Sequence, residues 1–115
     1  MIPADTPAQT EDARRTIEVV VRDDPQGQAL LAQLHDAELS VAPSEVTIRP
    51  QPGAARAEVP DGPLDTVAVV TDDRGGHCGE ILVWVDSGLL SSAEYAWVTD
   101  EPPTSWPDPG HVRVG

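Results

Sequence analysis

The residues with the most chemistry in them lie together, at Asp72-Asp73-Arg74-Gly75-Gly76-His77-Cys78. Two carboxylates, an imidazole and a thiol are all metal-ligand types. Their spacing is not that of a zinc site: there is no Cys-x-x-Cys, no His-x-x-x-His and only one thiolate. Asp and Gly are also the residues that hairpin turns favour for backbone reasons, so a solvated turn is the plainer expectation. A Cys–His nucleophile pair meets a similar objection. His77 and Cys78 are adjacent, and on a strand their side chains point to opposite faces; His35 or His111 would have to approach from elsewhere. No Gly-x-Ser-x-Gly elbow is present. A phosphate loop of the Gly-x-x-x-x-Gly-Lys type is ruled out, because all seven basic residues are arginine. The acid pairs Asp23-Asp24, Asp72-Asp73 and Asp100-Glu101 are what a chain with 20 acidic residues produces without design, and no Asp-x-Asp-x-Asp-Gly loop points to calcium. The sequence therefore predicts no catalytic residue, no metal and no cofactor.

The remaining chemistry is aromatic and acidic. Trp106 sits in Thr99-Asp-Glu-Pro-Pro-Thr-Ser-Trp-Pro-Asp-Pro109, whose prolines exclude regular structure. Either it folds back on the core and pins the tail, or it is an exposed anchor for a partner. Tyr95 and Trp97 share one face of the preceding strand, beyond which come Asp100 and Glu101.

These residues must be positioned by one domain, since the chain has 115 residues. A chain of that size buries roughly two-thirds of its unfolded surface. With three Trp, one Tyr and no Phe, the core has to be built largely from Val, Leu, Ile and Ala. Residues 1–10 read as a flexible arm, and 11–115 as the domain. Over 11–22, Ala13, Ile17, Val20 and Val21 share a helical face and Thr10 is placed to cap it. A strand over 17–21 is the alternative, because that run is β-branched. Asp24-Pro25 predicts a second helix, with Asp at the cap and Pro at its first position, and an apolar stripe of Leu30, Leu31 and Leu34.

Residues 39–41 and 46–49 alternate as strands do, around a turn at Pro43-Ser44. Two loops rich in Pro and Gly follow, at 50–56 and 60–63, with at most a short edge strand between them. Thr66-Val-Ala-Val-Val-Thr71 has the near-continuous apolar pattern of a strand covered on both faces. Residues 80–99 read as a β-hairpin about Asp86-Ser87-Gly88, with 81–85 in the core. Val112 and Val114 add a short last strand. The fold class is α+β: N-terminal helices packed on an antiparallel sheet of about four or five strands.

The run Ile81-Leu-Val-Trp-Val-Asp-Ser-Gly-Leu-Leu-Ser-Ser-Ala-Glu-Tyr-Ala-Trp-Val-Thr-Asp-Glu-Pro-Pro-Thr104, closing in Trp106-Pro-Asp-Pro-Gly110, resembles a group of small uncharacterised acidic proteins common in actinobacteria. Asp24-Pro-Gln-Gly-Gln-Ala-Leu-Leu31 echoes it more faintly. The resemblance covers about the last third of the chain and implies no particular activity or catalytic residue. Similar proteins often carry a Cys-x-Cys-type stretch after the second helix, where this chain has Ser40-Val-Ala-Pro-Ser-Glu45.

Charge decides which partners are expected. At −13 the surface repels phosphate backbones and anionic membranes and attracts a basic protein. No run approaches the roughly 20 apolar residues of a membrane span. The N-terminus has neither the basic region nor the apolar run of a signal peptide, so the cytoplasm is the expected location. Together these features predict a small protein-binding domain, inhibitor or immunity-like, with Tyr95, Trp97, Asp100, Glu101 and Trp106 at the contact. The alternative is a small-molecule-binding module or enzyme with a pocket between helices and sheet.

Overall fold

A proline opens the first helix. The computed structural model describes residues 7–114, and in it α1 spans Pro7–Val21. Proline is tolerated there because N–H groups in the first turn have no intrahelical acceptor. The helix thus starts ahead of Glu11, and residues 7–10, expected in the arm, form its first turn; residues 1–6 lie outside the described residues. Thr10 is inside the helix instead of capping it. The strand alternative for 17–21 fails on burial. Ala13, Ile17, Val20 and Val21 are all fully buried, and a strand cannot turn the adjacent Val20 and Val21 to the same side.

The second helix, α2, spans Gly27–Asp36 and starts two residues later than the Asp-Pro signal predicts. Asp24 makes a local turn instead: its carboxylate accepts from the Gln26 N–H at 2.8 Å, and its carbonyl accepts from the Gly27 N–H at 2.8 Å. That turn swings α2 tightly across the end of α1. A Cβ at Gly27 would lie 2.9 Å from the Val21 carbonyl oxygen, so glycine is required by the approach of the two backbones. The other end of α2 is closed by α1. The Arg14 guanidinium donates to the carbonyls of Leu34 and Ala37, placing a cation at the negative end of the helix dipole. Leu30 and Leu34 are buried, with Leu31 half-buried beside them.

The strands are β1 Glu38–Val41, β2 Glu45–Arg49, β3 Gly62–Pro63, β4 Ala68–Thr71, β5 His77–Asp86, β6 Leu89–Trp97 and β7 Val112–Val114. Their order is β1-β2-β6-β5-β4-β7, with β3 also on β5, and every ladder is antiparallel. The α+β class holds, with seven strands in place of four or five. One addition is β3, two residues of the expected 60–63 turn that pair with Val85 and Trp84. The edge strand considered at 56–59 does not form; there the Ala57 N–H donates to the Gly88 carbonyl at 2.8 Å. β4 is shorter than its apolar run and is not covered on both sides, since Val69 and Thr71 are only half-buried. It lies between β5 and β7, the strand expected at 112–114.

The β5–β6 hairpin is the spine of the sheet. Its turn residues Ser87 and Gly88 have φ of 53° and 78°, with Asp86 opposite Leu89. Two successive positive φ values mark a type I′ turn, whose twist matches that of the strands it joins. Ile81, Val83 and Val85 of β5 and Leu90, Ala93 and Tyr95 of β6 face the helices and are buried. Buried among them is one polar side chain that the sequence did not single out. The Gln33 amide donates to the carbonyls of Ala55 at 2.9 Å and Gly88 at 2.8 Å, and its oxygen accepts from the Leu90 N–H at 2.8 Å. One α2 side chain therefore holds both a loop and the central turn. Among the described residues no helix is long and apolar enough to cross a membrane.

Candidate functional site

The five residues expected at a contact surface divide between core and surface. Trp106 is 9% exposed, and its indole N–H donates to Thr16 Oγ1 at 2.7 Å. The Thr16 hydroxyl in turn donates to the Ala13 carbonyl at 2.8 Å. Tyr95 is 7% exposed and meets Trp106 edge-on, with ring centroids 6.4 Å apart and planes at 75°, a favoured aromatic geometry. Of the two fates open to Trp106, it takes the folded-back one. Trp97, at 38%, stands at the end of β6 opposite Gly79; Asp100 and Glu101 are exposed. Two of the five residues are thus core and three are surface.

Burial, and after it the charge of Cys78, raises the Tyr95 phenol above its ordinary value. Its hydroxyl donates to the Cys78 carbonyl at 3.4 Å. Because the unfolded chain releases this proton first, the contribution to stability is intact below about pH 10 and is lost as pH climbs through the higher folded value. Tyr95 is the single tyrosine, so the phenolate absorbance band reports on it alone. We expect that band to rise together with alkaline unfolding, and Tyr95→Phe to remove this part of the pH dependence; a phenolate that forms with the fold intact at the ordinary pH would contradict it.

The chemistry-bearing loop between β4 and β5 is a turn closed on Asp72. The Asp72 carboxylate accepts from the N–H groups of Arg74 at 2.9 Å and Gly76 at 2.7 Å. The Asp72 N–H donates to the Gly76 carbonyl at 2.9 Å. Asp73 reaches outward to His111 Nε2 at 2.9 Å, and the Cys78 thiol is turned to the Gly76 carbonyl at 3.6 Å. No thiol–imidazole hydrogen bond forms among the described residues. Nor does any group of three or more His, Cys, Asp or Glu there have the arrangement to hold a metal ion.

These parts surround a cleft of about 540 Å³, within the usual size of a small-molecule site. α1 contributes Asp12, β4 Val70, the start of β5 Cys78, β6 Tyr95, and the tail Trp106 and His111. Two runs, Val70–Asp73 and Pro103–Asp108, supply most of this lining, and they are brought together by the fold across about 30 residues, so motif spacing could not reveal it.

A second surface lies on the opposite side of the sheet. The helices cover one face only, and the other is a set of cross-strand rows fixed by the register. One row runs Ser40, Thr47, Ser92, Trp84, Pro63, and the next Glu45, Glu94, Leu82. A third runs Ala96, Glu80, Val69, Arg113. Trp84 is 36% exposed and corrects the expectation that all of 81–85 is core: it alternates with Ile81, Val83 and Val85, so it faces outward. Alternation was the signal that would have found it. Glu45 and Glu94 sit directly opposite one another. Ion pairs among the described residues join Glu11 to Arg14 and Arg15, and Asp73 to His111; none reaches Glu45, Glu80 or Glu94.

Comparison with known protein families, with curated proteins and with solved structures finds no match.

Proposed function

We propose that the protein is a binding domain for a basic protein surface, inhibitor or immunity-like in action, and that the partner docks on the open sheet face. One observation carries this reading: exposed Trp84 shares the open face with Glu45 and Glu94, like charges placed opposite each other with no ion-pair partner among the described residues. Like charges at such positions destabilise a sheet, and a cationic partner relieves that cost. Steering by the net charge of −13 brings the basic surface in, and burial of the indole holds it. Asp100 and Glu101, both exposed, continue the acidic character past the end of β6. The same charge disfavours nucleic acid and anionic membranes as partners. The single unpaired cysteine, Cys78, suits the reducing cytoplasm.

The partner is sought by capture from the protein's host at low salt. We expect a basic protein that high salt releases, bound at least about tenfold more weakly by Trp84→Ser. Glu94→Gln is expected to weaken binding while slightly raising the melting temperature of the isolated domain, because it removes the repulsion. Recovery of no salt-sensitive protein, or of one that Trp84→Ser retains equally, contradicts the reading.

A small-molecule-binding module is the second reading. It is favoured by the cleft beside Tyr95, where the His111–Asp73 pair converges on an aromatic wall.

A further inference from the structure

The same cleft has a lining that selects by charge. Its apolar wall includes Val70, Tyr95 and Trp106. Its charged groups come from three separate parts of the chain: Asp12 on α1, Asp72 and Asp73 on the β4–β5 turn, and Asp108 in the tail. Among the described residues no arginine lines it, and the one basic side chain there, His111, is engaged by Asp73. Asp72 and Asp108 each use Oδ1 to hold backbone N–H groups of their own turns. Asp12, Asp72 and Asp108 have no ion-pair partner among the described residues. The result is a hollow under a rim of carboxylates, with an indole and a phenol ring in edge-on contact in its wall.

An anion entering this cleft would meet repulsion and no cationic donor other than an imidazole already paired. A neutral apolar molecule would gain only the aromatic wall. A molecule with an apolar or aromatic body and a cationic head gains both contributions, and aromatic rings attract cations in addition to carboxylates. From this we infer that the cleft between α1, the β4–β5 turn and the tail binds small organic cations, an ammonium or guanidinium carried on an apolar body. The inference rests on the second reading above, that the cleft takes a small ligand.

Phenethylamine, 2-phenylethanol and phenylacetate share a ring of one size and differ in head-group charge, so they separate the two ideas. Each is titrated into the full-length, isotope-labelled protein while the Trp106 indole N–H and the His111 imidazole resonances are followed. Trp84, on the far side of the sheet, is the internal control. Phenethylamine is expected to move the Trp106 and His111 signals with a dissociation constant of about 1–10 mM, as befits so small a ligand. The alcohol should bind several-fold more weakly, and the carboxylate should leave those signals unmoved. The double variant Asp12→Asn/Asp73→Asn alters two rim carboxylates without touching the buried core. It is expected to weaken phenethylamine about fivefold or more and to leave the alcohol unchanged. Equal binding of all three probes would overturn charge selection and keep the cleft as a ligand site. No movement with any probe would overturn both.

Discussion

Replacing Trp106 with alanine is expected to lower folding stability by about 3–5 kcal/mol, the usual range for deleting a buried indole. Three losses combine. The ring leaves a void where the tail folds over α1. Its edge-on contact with Tyr95 disappears, which is worth about 1 kcal/mol beyond burial. Its N–H no longer reaches Thr16, a residue that is itself fully buried. The loss also propagates: Trp106 is the side chain through which the proline-rich segment is tied to both helix and sheet, and β7 follows only six residues later. Trp106→Phe keeps most of the packing and lacks the hydrogen bond, so it should cost about 1–2 kcal/mol. Urea denaturation of the three proteins measures the series. A loss below 1 kcal/mol for the alanine variant would mean that the tail does not depend on this ring. Where the variant is still folded it should retain any captured partner, because the proposed anchor is Trp84.

Gln33→Ala is the second large effect, expected at about 2–3 kcal/mol. The amide of the buried Gln33 satisfies two carbonyls and one N–H. Buried groups stranded by the loss of a partner cost about 1–3 kcal/mol each. The Ala55 carbonyl lies in an exposed loop and can be rehydrated, and the Gly88 carbonyl keeps the Ala57 N–H; the buried Leu90 N–H is the group that loses its acceptor. Gln33→Glu is nearly the same size yet should be no better, because a carboxylate would face the carbonyls of Ala55 and Gly88 and can donate to neither while ionised. Its stability should improve as acid protonates it. Denaturation at neutral and acidic pH reads both effects, and amide exchange at Leu90 should quicken in either variant. A tolerated Gln33→Ala would show that the β5–β6 turn holds without α2.

Much of the fold was legible where one physical signal dominated. The stripe of Ala13, Ile17, Val20 and Val21 announced α1, and Asp86-Ser87-Gly88 announced the hairpin, because positive φ at two consecutive residues is a strong local demand. Legibility failed where tertiary contact decided. β3 is two residues long and exists because β5 offers it an edge. Asp24-Pro25 has the chemistry of a helix cap, and the close crossing at Gly27 delays the helix instead. Gln33 looked like one more polar residue on a helix surface; only the approach of Gly88 and Leu90 makes it a core group. Trp84 was obscured by its buried neighbours, although strand alternation turned it outward. Of the expected contact residues, Tyr95 and Trp106 meet edge-on in one wall of the cleft, a pairing that no spacing rule contains.

Hydroxyl-radical footprinting of the free domain and of its salt-sensitive complex would test partner recognition on the open face most directly. Oxidation of each tryptophan is read separately by mass spectrometry, and buried Trp106 serves as the unreactive reference. We expect Trp84 to be oxidised readily in the free protein and strongly protected in the complex. Trp84 oxidised at the same rate in both would contradict docking on this face.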